Sequence, residues 1–218
     1  VIVSAAKESL KVIVAIILVI HVVGVAAYYL AGKNGVLVCA VLGMLALLFT
    51  VYFFRDPERA IPGDEKIVVA PADGLVVGVE EMDETAFGLG RMKRVAIFLS
   101  VMDVHVNRAP VSGVVEKTLR QPGVFLDVRH PDCSARNEAL AWKIKTSHGP
   151  VVVRQIAGLI ARRIVSWSGE GQNWERGQRF GMIRFGSRTE VFLPLTCSVL
   201  VKIGDKVQGA ATPIARYN

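Results

Sequence analysis

A serine hydroxyl that directly follows a glycine can attack that glycine's carbonyl. The pair Gly186-Ser187, within Arg184-Phe185-Gly186-Ser187-Arg188-Thr189, offers this arrangement. Attack by the Ser187 oxygen shifts the acyl group from nitrogen to oxygen, and the amide becomes an ester. Elimination and hydrolysis then leave a pyruvoyl group where the serine stood. Glycine suits the preceding position because it has no side chain to block the approach and tolerates unusual backbone angles. By itself a Gly-Ser dipeptide is most often a turn or a strand bulge, so the reading depends on the other reactive residues.

Three further polar groups have types suited to that chemistry. Asp73 lies in Pro71-Ala72-Asp73-Gly74, a pattern that ordinary turn chemistry also explains. His105 lies in the stretch Phe98-Leu99-Ser100-Val101-Met102-Asp103-Val104-His105-Val106-Asn107-Arg108-Ala109-Pro110. Read as one strand, this stretch puts Met102, Val104 and Val106 on one face and Asp103, His105 and Asn107 on the other. Asp103 and His105 then become neighbours able to tune an imidazole for acid-base work, although a solvated strand face has the same pattern. Of the other histidines, His21 falls in an apolar run, His130 in a loop and His148 in the hairpin-like Ser147-His148-Gly149-Pro150. Cys39, Cys133 and Cys197 are odd in number and widely spaced, which indicates neither a disulfide framework nor a metal site.

The elements that must carry these groups divide sharply along the chain. Residues 12–30 and 36–54 are nearly unbroken apolar runs, each close to the ~20 residues needed to cross a hydrocarbon core. They predict two helices, over about residues 10–31 and 36–54, joined by the turn-forming Ala31-Gly32-Lys33-Asn34-Gly35 into an N-terminal membrane hairpin spanning 1–54. The hairpin could cross fully or dip into one leaflet. Lys7, Lys11, Arg55 and Arg59 flank its outer ends, against Lys33 alone in the loop, which predicts a cell-membrane protein whose remaining chain faces the cytoplasm. The net charge of +7 over 218 residues suits anionic lipid, and basic clusters without interleaved aromatics argue against nucleic acid.

From residue 55 to 218 the pattern is of short apolar runs punctuated by Gly, Pro and Asp. It predicts a mainly β (α+β) fold, a compact barrel or sandwich, with strands at 66–70, 75–79, 95–101, 113–119, 141–146, 151–156 and 191–201. Residues 158–167 could form a short amphipathic helix, with a strand as the alternative. The glycine-rich segment 169–181 reads as a surface loop or an interfacial lid. Residues 68–76 and 201–209 each run strand, Asp/Gly turn, strand, like the half-motifs of hybrid barrels. This supports an alternative function as a non-catalytic, membrane-anchored hybrid-barrel protein that binds lipid or a partner, although neither turn carries a modifiable lysine between small neighbours.

Taken together, Phe54-Arg55-Asp56-Pro57-Glu58-Arg59, Pro71-Ala72-Asp73-Gly74, the 103–110 stretch, Pro122-Gly123, Asn137-Glu138, Gln155-Ile156-Ala157-Gly158 and Phe185-Gly186-Ser187 occur in the order seen in the phosphatidylserine decarboxylases. The chain resembles their short form, with a membrane hairpin and Gly-Ser-Arg at the processing site. The resemblance implies a proenzyme that cuts itself between Gly186 and Ser187 into a β subunit (1–186) and an α subunit (187–218) that stay associated. It implies a pyruvoyl cofactor derived from Ser187, with no metal, which supplies an electron sink for decarboxylating phosphatidylserine or archaetidylserine to the ethanolamine lipid. The implied catalytic residues are Ser187, His105 and Asp73, with Asp103 and Arg108 as supporting or substrate-binding residues. Arg108 stands where longer relatives carry a second histidine, which leaves open which residue activates Ser187, and an inactive relative remains a third reading. The expected partners are the serine phospholipid, the bilayer and the chain's own two pieces; assembly with further copies is left open.

Overall fold

The computed structural model describes residues 2–159, 164–184 and 186–218. The chain divides into two compact units, residues Val1–Arg55 and Asp56–Asn218.

In the first unit one helical stretch, α1 (Ile2–Phe53), is interrupted only at Gly32, whose φ of 60° and ψ of −148° lie outside the helical region. The expected five-residue loop is therefore a single-residue break, and residues 33–35 are already helical. Glycine makes so sharp a break possible because it alone enters the left-handed region without a Cβ penalty. The segments Lys11–Leu30 and Gly32–Phe53 are long and apolar enough to cross a membrane. They lie side by side: a Cβ on Gly43 would fall 2.7 Å from the Ile20 side chain, so the missing side chain lets the helices approach closely.

The second unit is mostly β. In chain order its strands are β1 (Ile67–Val69), β2 (Gly74–Glu84), β3 (Gly90–Leu99), β4 (Val106–Arg108) and β5 (Gly113–Gln121). After the single-turn helix α2 (Cys133–Arg136) come β6 (Ala139–Thr146), β7 (Gly149–Ile156), β8 (Ile164–Ser166), β9 (Asn173–Trp174) and β10 (Arg179–Ile183). The last four are β11 (Ser187–Leu193), β12 (Ser198–Val199), β13 (Lys206–Val207) and β14 (Pro213–Arg216). One curled antiparallel sheet runs β13-β2-β3-β11-β7-β6-β5-β9, with two three-stranded sheets, β1-β14-β12 and β4-β10-β8. Trp142, Trp174 and Phe180 anchor the core, with Phe180 4.9 Å and 4.6 Å from the two indoles by ring centroid.

Several expectations give way to this architecture. The stretch from Phe98 to Pro110 is not one strand: β3 stops at Leu99, residues 100–103 turn, and β4 begins at Val106. The expected strand at 191–201 starts earlier, at Ser187, and stops at Leu193; Pro194 opens a turn closed by Cys197 N–H donating to its carbonyl at 3.0 Å. Of the proposed helix at 158–167, residues 160–163 lie outside the described residues, while Ile164–Ser166 is strand β8 paired with β10. Segment 169–181 is no lid, because it carries β9 and Trp174 is buried in the core.

The two hybrid-barrel-like half-motifs pair with each other. β13 aligns Lys206 with Leu75 and Val207 with Gly74, while Val76 N–H donates to the Asp205 carbonyl. This pairing closes the edge of the sheet beside the Asp73 turn.

Candidate active site

β11 occupies the centre of the large sheet, running from Ser187 opposite Leu99 to Leu193 opposite Lys93 on β3, with β7 on its other side. All seven of its residues are buried. Alternation assigns Ser187, Thr189 and Val191 to one face and Arg188, Glu190 and Phe192 to the other. Val191 belongs to the main apolar core and Phe192 to a smaller cluster with Met92, Ala141 and Val152, so the two faces pack against different surroundings.

At the head of this strand Gly186 has φ +64°, the left-handed region that favours glycine. Ser187 is fully buried, and among the described residues its Oγ has no hydrogen-bond partner. A buried hydroxyl left in this state is costly, roughly 1–3 kcal/mol, and native proteins keep few such groups. Two residues further on, Thr189 Oγ1 donates to Asn107 Oδ1 at 3.2 Å, and Gln155 Nε2 donates to the same oxygen. Asn107, Gln155 and Thr189 are all fully buried. This knot ties β4, β7 and β11 together two residues from both His105 and Ser187.

His105 is buried, with Nδ1 2.9 Å from the backbone carbonyl of Asp103. A carbonyl can only accept, so Nδ1 carries the proton and Nε2 is the basic nitrogen of the neutral ring. The partner is thus the Asp103 backbone and not its side chain, contrary to the face-sharing expected from a continuous strand. The Asp103 carboxylate instead closes the turn, accepting from Ser100 N at 2.8 Å and Ser100 Oγ at 2.7 Å. A short side chain that bonds the backbone three residues back competes successfully with strand continuation.

Asp73 accepts from Gly209 N at 2.8 Å and from Arg59 at 2.6 Å. Burial pushes its carboxyl above the usual carboxylate range; the Gly209 N–H and the Arg59 guanidinium pull it back, and the charge of Asp103 adds to the upward push. Asp73, Asp103, Ser100, Phe98 and Lys206 line one cleft of about 510 Å³. Gly186, Val128, Arg129 and Leu159 line a second of about 390 Å³, to which Phe98 and Ser100 also contribute. The two clefts therefore share the wall formed by the end of β3.

Arg108 is directed elsewhere. Its guanidinium pairs with Asp56 at 2.6 Å and donates to the carbonyls of Pro57 at 2.9 Å and Gly177 at 3.3 Å. Asp56 also receives Arg179, which in turn pairs with Glu58 at 2.9 Å. The Arg-Asp-Pro-Glu run is thus fastened to β4 and β10 by two arginines.

From sequence, Gln155 and Thr189 stand only as parts of motifs, Arg59 as part of a motif and a flanking charge, and Asn107 as part of a motif and of a polar strand face. Their roles depend on contacts between residues distant in the chain, which spacing alone does not reveal. Among the described residues no group of three or more His, Cys, Asp or Glu side chains could hold a metal ion. The residues present do fit a group made from Ser187 itself, since the buried, unengaged hydroxyl directly follows a left-handed glycine and needs no separate binding cavity.

The family model for phosphatidylserine decarboxylase matches residues 46–215. The phosphatidylserine decarboxylase proenzyme of Syntrophus aciditrophicus is 46% identical over 179 residues, covering 82% of this chain and 84% of that protein. That of Symbiobacterium thermophilum is 50% identical over 178 residues, covering 81% and 82%.

Proposed function

The chain belongs to the phosphatidylserine decarboxylase family, and from that premise we propose that it cuts itself between Gly186 and Ser187 and decarboxylates a serine phospholipid. As a member of that family it is a carboxy-lyase acting on a phospholipid. The finer reading rests chiefly on one observation: the buried Ser187 hydroxyl, without a hydrogen-bond partner among the described residues, stands directly after left-handed Gly186. A hydroxyl held this way keeps its lone pairs for the adjacent carbonyl.

Once formed from Ser187, the pyruvoyl group supplies a carbonyl that draws electrons from the substrate as carbon dioxide leaves. The protein's residues do the rest. His105, protonated at Nε2, delivers the proton that replaces the lost carboxylate on the substrate carbon, a general-acid role. Asp73 acts in self-cleavage: burial raises its proton affinity, so it can accept the proton of the Ser187 hydroxyl as that oxygen attacks. The cleft holding Asp73, Asp103 and Lys206 carries charges of both signs, complementary to a zwitterionic serine head group and its phosphate. Arg108 acts by holding the 56–58 segment, because its guanidinium is already committed to Asp56 and two carbonyls.

The substrate is phosphatidylserine or its isoprenoid-ether counterpart archaetidylserine. The helix pair anchors the catalytic unit to the membrane from its cytoplasmic side, consistent with the basic residues at the outer ends, and tethering raises the local concentration of head groups. Intact mass under denaturing conditions tests the scheme. Wild-type protein is expected as two pieces, 1–186 and 187–218, the second blocked by a pyruvoyl group, with carbon dioxide released from serine phospholipid. Ser187→Ala is expected to remain whole. A wild-type chain that stays whole and releases no carbon dioxide would refute the proposal.

A further inference from the structure

The carbonyl that Ser187 must attack lies against a second glycine, Gly158, the last residue of the Gln155-Ile156-Ala157-Gly158 motif. A Cβ built on Gly158 would lie 2.2 Å from the Gly186 carbonyl oxygen and 3.3 Å from its carbonyl carbon, with Val128 Cγ1 at 3.1 Å. The backbone of Gly158 is not in the left-handed region, so conformation does not demand glycine there. What demands it is the space taken by the carbonyl oxygen. Gly186 differs: a Cβ there would meet nothing within 4 Å, and its requirement for glycine comes from φ +64°.

We propose that Gly158 is the positioning residue for self-cleavage, holding open the space in which the Gly186 carbonyl oxygen must sit for Ser187 Oγ to reach the carbonyl carbon. This rests on the reading that the chain is cut at Gly186-Ser187. In the step concerned the Ser187 oxygen bonds to the Gly186 carbonyl carbon, the bond from that carbon to the Ser187 nitrogen breaks, and the hydroxyl proton ends on the freed amine. No atom is lost and no co-reactant is needed. The carbonyl becomes tetrahedral on the way, and its oxygen swings through the volume that a side chain at 158 would fill. Ordinary contact begins at 3.4 Å, so alanine would displace the oxygen by about 1 Å, a misplacement that costs roughly 100-fold in rate.

The test follows intact mass with time for the full-length chain in detergent, comparing wild type, Gly158→Ala, Val128→Ala and the double variant, each with and without hydroxylamine. Hydroxylamine cuts an ester and spares an amide. Gly158→Ala is expected to melt cooperatively, to self-cleave roughly 100-fold more slowly than wild type, and to gain no cleavage from hydroxylamine, because the ester does not form. Val128→Ala is expected to cleave at the wild-type rate.

The double variant removes the 3.1 Å neighbour but keeps the 2.2 Å contact, so it should stay as slow as Gly158→Ala. It also supplies the measurement if the single variant melts without cooperativity. Rescue in the double variant would show that Val128 crowding is the cause and would overturn the inference. Rapid hydroxylamine cleavage of Gly158→Ala would also overturn it, by showing that attack still occurs. If wild type is cut and Gly158→Ala is cut equally fast, only this inference fails; if wild type stays whole, the reading of the cut site fails with it.

Discussion

Replacing Glu190 by glutamine probes the side of β11 that faces away from Ser187. The carboxylate is fully buried and accepts from Ser134 Oγ at 2.7 Å and Arg94 Nη1 at 3.0 Å, with Arg188 Nε 3.0 Å away. Arg154 on β7 is its register partner, and burial lowers that guanidinium's proton affinity while the Glu190 charge opposes the fall. Arg94 has a second carboxylate, Glu80, but Arg188 has only Glu190 as a charge partner among the ion pairs of the described residues. Glutamine keeps the shape and removes the charge, leaving buried guanidiniums uncompensated. Breaking a buried pair in this way costs about 3–5 kcal/mol. For a domain the size of the second unit, each kcal/mol shifts the melting temperature by about 2–4 °C, so a fall of about 6–20 °C is expected. The measurement is differential scanning calorimetry in the Ser187→Ala background, so that one covalent species melts. A fall below about 2 °C would refute the view that one carboxylate balances this cluster.

Three further outcomes are expected. His105→Ala protein that has been processed should lose roughly 10²–10⁴-fold in carbon dioxide release from serine phospholipid, and turnover within tenfold of wild type would remove His105 from the reaction. Because burial raises the Asp73 carboxyl above its ordinary 3.8, the folded state holds that proton more tightly than the unfolded chain. Its contribution to stability is therefore present below 3.8 and lost as pH rises through the raised folded value. The melting temperature of wild type minus that of Asp73→Asn should accordingly fall as pH rises through that window, and a flat or rising difference would contradict the burial argument. Burial also lifts the Cys197 thiol to about 11, against the pull of Lys93, so at about pH 8 roughly one molecule in a thousand carries the thiolate. Iodoacetamide should spare Cys197 in the folded protein and label it after denaturation, as read by peptide mass.

The parts of this molecule most legible in its sequence are those where one physical term dominates over a long window. Residues 12–30 and 36–54 are apolar on every face, so their helices need no knowledge of tertiary contacts. The strand at 151–156 and the hairpin turn at Ser147-His148 are legible for a similar reason, a dense apolar run next to turn-forming residues. β11 was half hidden because Ser187-Arg188-Thr189-Glu190 looks like solvated chain. Thr189 and Glu190 are buried with their polar groups bonded to Asn107, Arg94 and Ser134, from distant parts of the chain. The break between β3 and β4 was missed because Asp103 has two structural options, the face of a strand or the cap of the Ser100 turn. Only the folded chain shows the second one taken.

The central position of β11 bears on what a cut at its first residue does. Cleavage before Ser187 breaks one peptide bond but none of the pairings from Ser187 opposite Leu99 to Leu193 opposite Lys93, nor those to β7. Residues after the cut also supply β13, which pairs with β2, and β12 and β14, which with β1 form a sheet of their own. Removing 187–218 would take the middle strand from the large sheet and two of three strands from the small one, and with them Val191, Leu193, Ile214 and Ala215 out of the main core. The pieces should therefore co-elute in size-exclusion chromatography under native conditions and part only in denaturant. Separation under native conditions would mean that the covalent link, and not the sheet, holds the small piece. Because the bond proposed to break sits at a strand end, after a left-handed glycine, the backbone there can rearrange while the ladder that positions Ser187 stays intact.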